Sequence, residues 1–350
     1  MIVTIFHEYG APEHFQALEF AASKRDSSVS YYEFSILKPI VKAFLKKDSK
    51  AAKRSFVNFI NLFALPFQKK KVIVLGMAPW DWHIIVFTVL AQKHDIVLFT
   101  SWPYWHGDNQ PKRHTWSLFR KLWIWFLQNR VMCVASVTET GRNEISLLTD
   151  KPVYTVYHSV NGESTVDKSN KERKELLFVG QLIPEKGVLN AIDLAIKTGQ
   201  ELTIVGAGQL SSQVELLEKT NSNITFLGYI QSKEELNNLF SMHRILLVPS
   251  KKTSSWEEVF GLVIIEAMRN GCIPICTDHI GPKDILGKEF PELLYPEDLS
   301  LNELASVIEK TLIISEALQI RVINESLEYL PEKISKRWSF IWSLTAGDKP

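Results

Sequence analysis

The 350-residue chain is poor in cysteine. Cys133, Cys272 and Cys276 are its only three, and no two stand in a C-x-x-C spacing, so neither a disulfide framework nor a zinc ribbon is available. A reducing cytoplasm fits that usage. No apolar run reaches the roughly 18 residues a spanning helix needs, so any contact with a membrane is expected to be peripheral. The opening MIVTIFHEYG has no basic leader and no small-residue cleavage site, and it reads as a buried strand rather than a signal peptide. There is no D-x-D pair and no His, Cys and Asp cluster at metal-ligand spacing, so no metal and no cofactor are expected. Nucleic-acid-binding motifs, internal repeats and low-complexity tracts are absent as well.

What is present is apolar sequence in short blocks. With 45% hydrophobic residues the chain can bury substantial cores, and its length suggests two domains. MIVTIF, KVIVLGM, DIVLFT and VMCVASV read as strands of a first half, and LLFVGQL, LTIVGAG, ITFLGYI, RILLVPS and CIPICT as strands of a second. Between the latter, VLNAIDLAIKTG, KEELNNLFSMH and GLVIIEAMRNG have helical spacing. Alternation of nearly continuous apolar strands with amphipathic helices predicts α/β domains, each a doubly wound, Rossmann-like parallel sheet. The expected boundaries are 1–160 for an N-terminal domain and 161–175 for a polar linker. A C-terminal domain over 176–325 and a helical tail over 326–350, returning to the first domain, complete the chain. Such sheets bind ligands beyond the carboxyl ends of their strands, which points to a cleft faced by the two domains. Charge divides with them: residues 1–170 carry 21 Lys and Arg against 14 Asp and Glu, a balance of +7, and residues 171–350 carry 19 against 25, a balance of −6.

The chemistry concentrates in the second half. LLFVGQLIPEKG places Gly180, where backbone can approach a ligand, just before Gln181 and Lys186, a point charge suited to phosphate. A plain turn with a solvated lysine is the alternative. LTIVGAGQL repeats the strand-to-glycine pattern at Gly206 and Gly208, but its dinucleotide fingerprint lacks the third glycine. In SSWEEVFGLVIIEAMRNG a helix is predicted to start at Gly261 and Leu262, to run to about Asn270 and to be closed by Gly271. Its first amides and positive dipole end suit an anion. Glu258 stands just before that end and Glu266 more than a turn inside. The arrangement suits a nucleotide-sugar, with the Gly261 and Leu262 amides on diphosphate, Glu266 on ribose hydroxyls and Glu258 on the sugar. A capping role for Glu258 and an ordinary helix-surface role for Glu266 are the structural alternatives.

Taken in order, FVGQLIPEKG, IVGAG, ITFLGYI, LLVPS, EVFGLVIIEAMRNGCIPI and IGPKDIL resemble glycosyltransferase family 4, retaining GT-B enzymes that move a sugar from a nucleotide diphosphate. The resemblance is strongest over 176–290; over 1–160 only the architecture and scattered pieces match. It implies that Glu258 lies at the donor sugar, Glu266 at the ribose and Lys186 at the diphosphate, with amides from Gly261 and Leu262. The family usually carries arginine where Gln181 stands. Either Lys186, Lys251 or Lys252 compensates, or donor binding is weaker. The resemblance further implies retention at the anomeric carbon, metal independence, and a lipid-linked or growing glycan as acceptor in cell-surface polysaccharide synthesis. A non-catalytic GT-B-like protein that binds a membrane or a partner, and another nucleotide-sugar enzyme such as an epimerase, are the competing readings.

In the first half, Gly10 of HEYGAPEHF matches one glycine of a family loop near the donor phosphates, with Ala11 in place of the next. DIVLFTSWPYWHGD puts Trp102 where the family presents a histidine, and His106, four residues on, is the candidate to contact the sugar. TWSLFRKLWIWFLQNR has a polar face of Ser117, Arg120, Lys121 and Gln128 and a wide face of Trp116, Phe119, Trp123, Phe126 and Leu127. With Lys38, Lys42, Lys46 and Lys50 upstream, that pattern suits an anionic membrane surface; a buried helix is the alternative. The expected location is cytoplasmic, peripheral on the inner face of the membrane.

Overall fold

The computed structural model describes residues 1–8, 12–35, 48–107, 110, 117–161, 173–254 and 256–345. The chain divides into two compact units, Met1–Ser159 with Pro331–Pro350, and Val160–Leu330.

The first unit is built on strands β1 (Ile2–His7), β2 (Ser28–Glu33), β3 (Val72–Gly76), β4 (Asp95–Thr100), β5 (Val131–Ser136) and β6 (Val153–Thr155). All pair in parallel, in the order β2-β1-β3-β4-β5-β6. Parallel strands need right-handed crossovers, so direction of travel across the sheet decides which face each connecting helix covers. β1 to β2 runs one way, and the later connections run the other. Helix Gln16–Ser23 therefore takes one face, and helices Ser49–Phe63, Ile84–Leu90, Ser117–Asn129 and Glu139–Ser146 take the opposite one. Leu62, Ile84, Phe87, Trp123, Phe126 and Ile145 of those helices share one buried cluster with Phe6, Leu75 and Leu98 of the sheet.

The second unit repeats the plan with β7 (Lys174–Val179), β8 (Leu202–Val205), β9 (Ile224–Phe226), β10 (His243–Val248), β11 (Ile273–Thr277) and β12 (Leu294–Tyr295). The order is β12-β11-β10-β7-β8-β9, again parallel. Five strands in β7–β11 and four in the first unit coincide with the apolar blocks of the sequence. The three additional strands lack that signal: β2 is SVSYYE at a sheet edge, β6 has three residues and β12 two. β7 also begins at Lys174, inside the stretch read as linker, because pairing with His243 of β10 extends the strand through polar residues. Residues 162–172 of that stretch lie outside the described residues.

The tail joins the first unit from Pro331, five residues later than the sequence boundary at 326, since the turn Leu327–Tyr329 stays with the second unit. The Val160 amide donates to the Tyr329 carbonyl at 3.0 Å, which fixes that turn. Beyond it, helix Pro331–Ser335 packs on Gln16–Ser23. The Phe340 ring stacks on Tyr154 at 4.2 Å, and Arg337 Nη1 donates to the Thr155 carbonyl at 3.2 Å. Among the described residues no helix is long and apolar enough to cross a membrane.

At the carboxyl end of β1, three histidines come together. His14 lies 6.1 Å from His7 and 4.3 Å from His158, ring centre to ring centre. A side chain at Gly76 would collide with the His7 ring, so glycine there makes the room. Burial, then repulsion from His14, lowers His7 to about 4 against a small opposing effect of Glu13. Burial lowers His158 to about 3, and His14 is lowered for the same reason. Groups held neutral in the fold but protonated when unfolded stabilise the fold fully above their unfolded pKa, near 6.5, and progressively less as pH falls toward 4. Urea midpoints should therefore drop between pH 7 and 4.5. The contribution of His7 to that drop should be on the order of 2 kcal/mol, and His7→Gln should flatten the profile.

Candidate functional site

In the second unit the turns after β7, β10 and β11 meet on Glu258. This residue precedes helix Leu262–Arg269, which the sequence places correctly: Gly261, with φ of 78°, is its N-cap and supplies no side-chain acceptor. The first-turn N–H groups of a helix have no partners within it, so this end presents amides and the positive end of the dipole. Gly271, with φ of 70°, closes the other end. There Arg173 donates to the carbonyls of Gly271 at 2.6 Å and Asn270 at 3.3 Å, a cation where the helix dipole favours one.

Glu258 is only 6% exposed. Its Oε2 accepts from Lys186 Nζ at 2.5 Å and from Ser250 Oγ at 3.2 Å. Its backbone is fixed too: the N–H donates to His279 Nδ1 at 3.3 Å, and the carbonyl accepts from the Gly281 N–H at 3.1 Å. With Nδ1 accepting there, Nε2 faces Glu297 Oε1 at 2.7 Å. Lys186 ends the short turn Pro184–Lys186, which is tied to the β10 loop by the Lys251 amide on the Glu185 carbonyl at 2.7 Å. Its ammonium also lies 5.2 Å from the centre of the Trp256 ring. Beneath the loop, burial and the nearby Glu258 charge push the Cys276 thiol well above its ordinary range, so it is an inert packing group.

Glu266 sits one turn into the helix, where burial raises its carboxyl and Lys233, at 3.4 Å, opposes that shift. Gly180 and Gly206 follow β7 and β8, and position 206 must be glycine, because a side chain there, at φ of 148°, would collide with the residue 180 backbone carbonyl. Backbone bonds from Gly180 to Val205 at 3.1 Å and from Leu182 to Ala207 at 3.0 Å join the two turns. Gln181, between them, is exposed. His106 belongs to the first unit and Glu258 to the second. Its Nδ1 lies 2.8 Å from Glu144 Oε2, which also accepts from the Trp105 amide at 3.3 Å. Trp105 is fully buried against Trp80 and Trp123, so His106 hangs from a tryptophan cluster. Gly10 lies outside the described residues.

Sequence reasoning did not single out Ser250, His279 or Glu297. It also missed the adjacent pair in which Lys252 Nζ meets Glu257 Oε2 at 2.6 Å while Glu257 Oε1 accepts from the Ile280 amide at 3.2 Å. The available signal was the IGPKDIL block, which His279 immediately precedes. Among the described residues no three His, Cys, Asp or Glu side chains are grouped to hold a metal ion. The arrangement can hold an anion with an ammonium and helix amides, next to a buried carboxylate.

Gly281 keeps this loop in place, since a Cβ there would lie 2.5 Å from the Phe260 Cα and backbone nitrogen. Backbone cannot give way cheaply, so Gly281→Ala should displace the Glu258–Phe260 segment. The expected cost is about 2–3 kcal/mol, read as a lower melting temperature of several degrees.

Residues 163–325 match the family model of glycosyl transferases group 1. An uncharacterized 42.6 kDa protein in the cps region of Klebsiella pneumoniae is 28% identical over 148 residues, 42% of this chain and 37% of that protein. An uncharacterized glycosyltransferase, MJ1178, of Methanocaldococcus jannaschii is 26% identical over 156 residues, 44% of this chain and 41% of that protein. The matched stretch thus spans well under half the length of either relative. The crystal structure of Anabaena Alr3699/HepE in complex with UDP superposes with a TM-score of 0.68 at 13% identity, over 98% of this chain and 100% of that one. The chain has the two-unit α/β GT-B fold, and its second unit is similar in sequence to glycosyl transferases group 1.

Proposed function

We propose that the protein is a retaining glycosyltransferase that passes a sugar from a nucleotide diphosphate to a lipid-linked or growing glycan acceptor in cell-surface polysaccharide synthesis. The observation that carries this reading is the Lys186–Glu258 pair, 2.5 Å apart at the amide-bearing end of helix Leu262–Arg269. The donor diphosphate binds Lys186 and the amides of Gly261 and Leu262 without a divalent ion. Glu258 contacts the sugar and Glu266 the ribose, and Gly180, Gln181 and Gly206 form the turns beside the nucleotide. The bond from the anomeric carbon to phosphate oxygen breaks as the acceptor oxygen attacks on the same side, and the departing phosphate takes the acceptor's proton. His106, held by Glu144, is the first unit's candidate for sugar recognition. The cps-region setting of the Klebsiella relative supports the polysaccharide context. The protein works in the cytoplasm at the inner face of the membrane, drawn by the +7 balance of residues 1–170.

Exposed Gln181 in place of the family arginine favours a second reading, a GT-B-like protein that binds nucleotide weakly or not at all and serves as a partner-binding module. Calorimetry separates the two. UDP or another nucleoside diphosphate should bind the wild-type protein, and Lys186→Ala should weaken binding about tenfold or more. Glu258→Ala should lower transfer from a nucleotide-sugar pool to a lipid-extract acceptor by about 100-fold or more. Absence of binding to every nucleoside diphosphate would leave the second reading standing.

A further inference from the structure

Three of the described helices on one face of the first unit's sheet, Ser49–Phe63, Ile84–Leu90 and Ser117–Asn129, turn large apolar side chains away from it. On Ser49–Phe63 the polarity is inverted: Ser55 and Asn58 are buried, 3% and 5% exposed, whereas Phe56 is 60% exposed. Phe59 and Phe63 stack on each other at 4.5 Å with about half of each ring in solvent, and Phe67, just beyond the helix, is 88% exposed. On helix Ser117–Asn129, Trp123, Phe126 and Leu127, part of the wide face that the sequence offered to a membrane, are instead buried in the core, whereas Leu118 and Trp125 face outward. They border a groove of about 530 Å3 with Ile85 of the neighbouring helix. Helix Gln16–Ser23, on the other face of the same sheet, exposes no large apolar side chain. Soluble surfaces carry such residues singly, so a whole layer of them marks a docking face.

Charge identifies what docks. Between Ile36 and Lys71 the sequence has ten Lys and Arg and a single acid, Asp48. Lys50, Lys53 and Arg54 stand at the start of the phenylalanine helix, and Lys69, Lys70 and Lys71 follow Phe67. Glu33 lies 3.7 Å from Arg54 and Asp95 lies 2.9 Å from Lys70, so these two are partly compensated. Aromatic rings flanked at both ends by lysines match a surface whose interior is apolar and whose rim is negative.

We propose that this helical layer, led by Phe56, Phe59, Phe63 and Phe67, docks the first unit on an anionic lipid bilayer. It assigns a surface to the peripheral-membrane part of the reading above, on which it rests, and it is independent of sugar transfer. The rings enter the boundary between headgroups and acyl chains, and the lysines meet anionic headgroups around them.

Sedimentation with phosphatidylcholine vesicles, with and without phosphatidylglycerol, tests it on the full chain. Wild type should bind the phosphatidylglycerol vesicles at least about tenfold more tightly than phosphatidylcholine alone. The double variant F59S/F63S, with an unchanged melting temperature as its folding control, should lose at least about tenfold on the anionic vesicles. K50Q/K53Q should weaken binding at low salt more than at high salt. If wild type binds neither vesicle, the membrane reading itself falls; if wild type and F59S/F63S bind equally well, only the assignment of this face falls. A wild-type dimer that F59S/F63S dissolves, with no difference between them on vesicles, would show that a second copy covers the face and would overturn the proposal.

Discussion

Everything in the second unit's candidate site depends on how a buried negative charge is held. Taking a carboxylate out of water costs several kcal/mol, and an ion pair offsets that cost only when its geometry is good and the remaining lone pairs are met. Glu258 Oε2 accepts both from an ammonium brought from 72 residues away and from a hydroxyl of the β10 turn. Its main chain is held independently by His279 and Gly281, so the carboxylate is aimed by backbone that cannot drift. The Lys186 ammonium keeps N–H donors beyond the one it gives Glu258, and under the proposed reading a donor diphosphate would meet a cation already paired with a carboxylate.

The same handedness rule builds both units, yet it loads their strand ends differently. In the second unit, charged groups collect around one helix N-terminus. In the first, three neutral histidines cluster at the end of β1, and three tryptophans pack under the loops after β3 and β4. Trp80 adopts φ of 59°, uncommon for a bulky residue, within that tryptophan cluster, and Trp123 Nε1 donates to the Asp81 carbonyl at 2.9 Å to hold the turn. His106 is positioned by this packing and by Glu144. The outward side of the first unit's helical layer is a consequence of the same topology, since all connections running from β2 toward β6 must cross on one face.

Much of this was legible beforehand, for reasons that are local. Doubly covered parallel strands are continuous apolar runs, so nine of the twelve strands among the described residues announce themselves. The bounds of helix Leu262–Arg269 follow from Gly261 and Gly271, which alone at those positions relieve the strain of a positive φ. β2, β6 and β12 escaped because edge strands bury less and need little apolar sequence, and Lys174 was read as linker because only its pairing with His243 makes it strand. Ser250 and His279 escaped although they end LLVPS and precede IGPKDIL, because a one-dimensional reading does not show that they and Glu297 converge on Glu258.

Composition, periodicity and glycine placement by themselves determined the two-unit parallel α/β architecture, the helix that presents its amides, and the two glutamates at its start and within it. Only the tertiary structure decided that Glu258 pairs with Lys186 whereas Glu266 pairs with Lys233, and that the Gly180 carbonyl leaves no room for a side chain at Gly206. It also decided that the phenylalanines of Ser49–Phe63 face outward while Ser55 and Asn58 face in. Local backbone preference and hydrophobic period act over a few residues and can be read along the chain. Burial and charge pairing are set by whatever the fold brings alongside, and a one-dimensional string does not contain that distance.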